Sequence, residues 1–93
     1  MNNQFLNQKT PNEIAKSLVE KVKEHRKRLK ISQEMLAQKS GVSLGSIKRF
    51  ETKHEISLQS FIKIAIALDL DNDIESLFTA KTYTSIDEII KGK

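Results

Sequence analysis

Ninety-three residues, 38% of them apolar, suffice for one small domain with a modest core. The chain has no cysteine, which excludes disulfides and thiolate metal sites. It has no long apolar run, so neither a membrane span nor a signal peptide is expected, and a soluble cytoplasmic protein fits. The net charge of +4 is unevenly spread: Lys21 to His54 carry ten Lys or Arg against three Glu, a net +7, while Glu55 to Ile90 carry two Lys against seven acids, a net −5. A polyanion is the expected partner of the basic half.

Met1 to Lys9 carry no pattern, and residues 1–9 read as a disordered arm. Thr10-Pro11-Asn12-Glu13 is a helix start: Thr10 as N-cap, Pro11 at the first helical position, Glu13 three after the cap. The helix should run to about Leu29. Ile14, Leu18, Val22 and Leu29 form its expected buried stripe, helped by Ala15 and Val19. Arg26 falls on that stripe, where an unpaired cation would be costly to bury, so a partner is expected and Glu51 is the candidate. His25 and His54 lack the spacing of a metal site or a nucleophile–base pair and read as surface or phosphate-contacting residues. Lys27, Arg28 and Lys30 can favour the helix C-terminus or face a polyanion.

The organising stretch is Ser32 to Glu51, SQEMLAQKSGVSLGSIKRFE. It reads as two short helices and a tight turn. Ser32 caps the first, whose Leu36 and Ala37 face inward. Gly41 supplies the positive φ that the turn requires, and Val42 plugs it. Ser43 caps the second helix, with Ile47 and Phe50 three apart on its inner face. Its outer face holds Leu44, Gly45, Ser46, Lys48, Arg49 and Thr52. A polar loop follows, and Ser57 caps a further helix with Leu58, Phe61, Ile64, Ala65 and Leu68 as its core face. Ile62 and Ile66 lie off that stripe and suggest a second buried surface. Leu70 packs, Asn72 caps with Glu75 three on, and Ile74, Leu77 and Phe78 close a fifth helix. After a looser stretch over 79–84, Ser85-Ile86-Asp87-Glu88 is another capping box. Ile86, Ile89 and Ile90 have helical spacing, and Tyr83 can pack with them. So short a helix needs something to dock on: its own domain, a second subunit or another protein.

Gln33, Ala37, Gly41, Val42, Ile47 and Phe50 fall at the spacing of the helix-turn-helix in the phage-repressor and Cro family (Xre-type regulators), which the chain resembles from about Val22 to Phe78. The resemblance implies an all-α, compact five-helix DNA-binding domain over 10–78, with 79–93 as a C-terminal extension bearing a short helix. It also supports the Arg26–Glu51 pair, since family members commonly pair Arg and Glu there.

By that resemblance the second motif helix enters the major groove of double-stranded DNA. Arg49 is the expected base reader, its planar fork matching guanine O6 and N7, with Leu44 placed for a thymine methyl. Gly45 has no side chain to read with and lets the backbone sit close. Amide side chains, frequent at these early positions in phage repressors, are absent. Gln33, Ser43, Ser46, Lys48 and Lys53 are the expected phosphate contacts, Gln33 aided by its place at a helix N-terminus. The resemblance places dimerisation in the C-terminal part, so Ile66, Leu70, Ile74 and Phe78 are interface candidates, with enlargement of the domain's own core the alternative for Leu70 and Ile74. The expected function is a homodimeric transcriptional regulator, a repressor on an inverted repeat. The alternative is an antitoxin or adaptor that binds a partner protein through residues 85–91 and regulates its own promoter, since the acidic linker and tail resemble the extensions of antitoxin-type regulators. No cofactor or metal is expected, and neither enzymatic chemistry nor a membrane-lying helix finds support in the residues.

Overall fold

Among the described residues, four of the five helices begin on a Ser or Thr hydroxyl that accepts from a backbone N–H of the first turn. The structure is a computed structural model and describes residues 8–79. The arm over 1–9 falls almost wholly outside them, as does the helix expected over 85–91. Helix α1 spans Pro11–Arg28. Thr10 Oγ1 accepts from Glu13 N at 3.1 Å, and the Glu13 carboxylate accepts from Thr10 N at 2.8 Å, a reciprocal capping box. Helices α2 (Gln33–Ser40), α3 (Leu44–Lys53) and α4 (Leu58–Ala67) are capped by Ser32, Ser43 and Ser57, and α5 spans Asp71–Glu75.

The helix ends are more informative than the starts. Gly41 ends α2 at φ 75, the left-handed conformation that glycine adopts without strain. Among the described residues four others use the same conformation without glycine: Lys30 at φ 60, His54 at φ 62 and Asp69 at φ 60, each just after a helix, and Phe78 at φ 67. After α1, Lys30 N donates to Lys27 O and Ile31 N to Arg26 O. After α4, Asp69 N donates to Ile66 O and Leu70 N to Ala65 O. Both pairs are the double bond of a Schellman ending, which satisfies the last carbonyls. His54 N donates to Phe50 O at 3.0 Å and thereby closes the loop that lacks a glycine.

The core is built from Val19 and Val22 of α1, Leu36 of α2, Val42 of the turn, Ile47 and Phe50 of α3, Ile64 and Ala65 of α4, and Leu68 at its C-cap. Phe61 packs against it, its ring centroid 5.9 Å from that of Phe50 at a 58° tilt. Each of the large buried side chains contributes about 1.5–3 kcal/mol. Helix α2 packs on α3 and α4, α1 on α3, and α5 on α4.

Four expectations are corrected. The buried side of α1 is Val19, Val22 and Arg26, not the Ile14–Leu18–Leu29 stripe; Ile14 is 55% and Leu18 47% exposed, and Leu29 is exposed too. Apolar spacing alone allowed either face, and the buried residues of α1 all lie from Val19 onward. Leu58 is exposed because it sits in the first turn of α4, ahead of the helix's contact with the core. Asn72 does not cap: α5 follows directly on the Asp69 reversal, so Leu70 holds the cap position without a side-chain bond and Asn72 lies inside the helix. Helix α5 also stops at Glu75, leaving Leu77 and Phe78 beyond it and exposed.

The His54 backbone pays a steric cost that glycine would not. A His54→Gly variant is therefore expected to unfold at higher urea concentration, with a gain of about 0.5–1 kcal/mol and an unchanged m-value.

Candidate nucleic-acid interface

The geometry of the motif is set at the inner end of α3 by Glu51. Its carboxylate is buried and accepts from three groups. Arg26 of α1 donates from Nε to Oε2 at 2.8 Å and from Nη2 to Oε1 at 3.1 Å, a two-pronged contact. Gln33 of α2 donates from Nε2 to Oε1 at 2.8 Å. Arg26 spends its remaining nitrogen, Nη1, on the carbonyl of Ile31 at 2.7 Å. Side chains from three helices thus meet at one carboxylate, and the loop between α1 and α2 joins them through Arg26. Among the described residues no buried side-chain polar atom is left without a partner.

With Glu51, Ile47 and Phe50 turned inward, the opposite side of α3 faces solvent. Gly45, Lys48, Arg49 and Thr52, spaced i, i+3, i+4 and i+7, form one exposed stripe, with Ser46 and Lys53 beside it. Leu44 is half-buried at the start of the helix. Arg49 donates from Nε to Glu55 Oε1 at 3.0 Å, and its Nη2 lies 2.9 Å from the same oxygen. The two side chains are 67% and 61% exposed, so the pair contributes little and opens at small cost. Gly45 has nothing within 4 Å of where a Cβ would stand, so no contact inside the chain requires a glycine there. Thr52 Oγ1 donates to Lys48 O at 2.7 Å.

The residues expected to meet phosphate occupy two kinds of place. Lys48 and Lys53 are open to solvent. Ser43 Oγ accepts from Ser46 N at 3.1 Å and donates to Ser46 Oγ at 2.8 Å, so both serines are engaged at the start of α3. Gln33 is half-buried, its amide committed to Glu51, while its backbone N–H at the first position of α2 has no partner within the helix. The Glu51–Gln33 and Arg49–Glu55 contacts escaped the sequence reading. So did His25, whose Nε2 donates to the Leu68 carbonyl at 3.0 Å across 43 residues and so satisfies the end of α4. No local pattern announces such a contact.

A family model described as helix-turn-helix matches residues 22–71, more than half of the chain and the whole of α2, α3 and α4. The chain belongs to the Cro/C1-type helix-turn-helix family. No curated protein and no solved structure gives a significant match. Members of this helix-turn-helix family are DNA-binding transcriptional regulators, generally without enzymatic activity. Among the described residues no helix is long and apolar enough to cross a membrane.

Glu51 is the residue this helix-turn-helix can least spare. Glu51→Ala leaves the Arg26 guanidinium buried and uncompensated, and is expected to cost about 3–5 kcal/mol in urea denaturation. Replacing both Arg26 and Glu51 with methionine should restore most of that loss. A single-variant loss below about 1 kcal/mol would mean that water reaches the pair.

Proposed function

We propose that this protein is a sequence-specific, double-stranded DNA-binding regulator that works as a homodimer on an inverted repeat and represses by occupying promoter DNA. The observation that carries this reading is the exposed stripe of α3, with one arginine and one glycine at its centre, on a helix held by a buried ion pair. An α-helix is about 10–12 Å across with its side chains, which a major groove roughly 12 Å wide admits, and the ten residues of α3 give about 15 Å of length to lie in it. Arg49 leaves its weak surface pair with Glu55 and takes guanine O6 and N7. Leu44 lies against a thymine methyl. Gly45, which nothing inside the chain requires, lets the helix backbone approach the bases. It gives up about 0.5–1 kcal/mol of helix stability relative to alanine in doing so. Lys48, Lys53, Ser43, Ser46 and the N–H of Gln33 meet phosphates and set the register without reading sequence.

One such domain reads only a few base pairs, so two are joined about symmetry, with half-sites about one helical turn apart. Of the interface candidates we take Ile66, 56% exposed on α4, for the joining surface; Phe78 is 77% exposed and lines the groove beside α1. Leu70 is half-buried against the domain's own core, and Ile74, also half-buried, lines the groove beside α1.

Selection from a randomised duplex library, at one stated salt concentration, tests the whole reading. Enrichment of a palindrome with half-site centres about 10 base pairs apart is the expected result. Enrichment of nothing, with only salt-sensitive general binding, would remove the sequence-reading function. Repeating the selection with Arg49→Ala should relax preference at one base pair of each half-site and weaken the best site by about 1–3 kcal/mol per contact. An unaltered consensus would take base reading away from Arg49.

A further inference from the structure

The N-terminal half of α1 is apolar on a side that no described element covers. Ile14 and Leu18 stand exposed there, and across from them stand Leu77 and Phe78, also exposed. Between the two pairs lies a groove of about 720 Å³ with Phe61 and Ile74 among its lining residues. It is far larger than a packing defect and lies within the usual range of a ligand-sized cleft. Its charged margin carries Lys9, Lys21 and Arg28 against Glu24 and Asp73, a small excess of positive charge.

We infer that this groove is the seat of the chain's own C-terminal segment, residues 85–91, bound within the same molecule. The described chain ends at Thr79, one residue beyond Phe78, which itself lines the groove. Five residues, 80–84, separate that point from Ser85, and an extended run of five spans about 17 Å. The linker therefore starts next to a residue of the groove wall. The segment is SIDEIIK. As one or two helical turns it brings Ile86, Ile89 and Ile90 onto a single face. A helix that short gains its stability only by burying that face. Three isoleucines match an apolar trough, and the segment's two acids, Asp87 and Glu88, against the single Lys91 complement the small positive excess of the margin. The short tether decides between occupants: it presents the segment at an effective concentration of the order of millimolar, whereas a second copy or a separate protein must bind from dilute solution. Ile66 is not part of the groove lining and stays open to a second copy.

Because the chain contains no cysteine, the pairing can be read directly. The full chain carrying Leu18→Cys and Ile89→Cys, oxidised with a glutathione redox buffer, is expected to form a disulfide inside a single chain. It should run as a monomer on a non-reducing gel and lose two thiols towards maleimide. A covalent dimer would place the segment, or the whole groove, against a second copy and overturn the proposal. Two thiols still reactive after oxidation would overturn it as well. A second variant, Ile86→Asp with Ile89→Asp in the full chain, keeps the test decisive if the cysteine pair perturbs folding. An uncovered groove should then raise the fluorescence of bound anilinonaphthalenesulfonate several-fold over the parent, with the helical circular dichroism of residues 11–75 retained. Equal dye binding by parent and variant would mean that the segment never covered the groove, leaving it open to another protein.

Discussion

The carboxylate of Glu51 is the constraint on which the arrangement of the motif depends. It lies on the same helix as the exposed stripe and on its inner side. Through Arg26 it is tied to α1 and to the Ile31 carbonyl, and through Gln33 to α2. Apolar side chains in these places would pack in several registers, whereas a planar guanidinium and a carboxylate satisfy both prongs in only one. A buried ion pair adds little net stability compared with a well-packed apolar replacement. Here it sets how α3 is turned, and therefore which of its side chains reach solvent together.

Helix termination is the second constraint. Four successive reversals pass through the left-handed conformation, at Lys30, Gly41, His54 and Asp69, and only Gly41 does so without steric cost. The cost is tolerated because each reversal satisfies carbonyls that would otherwise be orphaned, and because the packing it permits buries Leu36, Ile47, Ile64 and Leu68 almost completely. His25 adds a long-range version of the same service by donating to the Leu68 carbonyl. The end of α4 is thus held by α1, and the side of the domain away from the exposed stripe is tied to its core.

Charge and apolarity are divided between the two sides of the molecule. Lys48, Arg49 and Lys53 project from α3. The unburied apolar side chains Ile14, Leu18, Leu77 and Phe78 gather instead along a groove between the first half of α1 and the residues around α5. A surface that meets a strongly hydrated polyanion gains from charge and loses from exposed hydrocarbon, and the reverse holds for a surface that meets another protein segment. One small domain therefore presents a charged stripe on α3 and an apolar groove beside α1.

The sequence by itself determined the starts of the first four helices, the motif and its family, because caps, Gly41 and the spacing of Leu36, Ile47 and Phe50 are local signals whose energies act within one or two turns. A cation on an apolar stripe was equally legible as a demand for a partner, and Glu51 is bound to Arg26 at 2.8 Å. What only the tertiary structure decided is everything that depends on which neighbour arrives. Helical periodicity placed Ile14 and Leu18 inside, yet only Val19, Val22 and Arg26 of α1 are buried. The Asn72–Glu75 pattern offered a cap that the Asp69 reversal made irrelevant. The non-glycine reversals, the His25–Leu68 bond and the pairing of Arg49 with Glu55 have no sequence signature, since each arises from the meeting of groups brought together by chain direction. Local signals set where helices begin; the competition among buried surfaces sets which face of each is hidden.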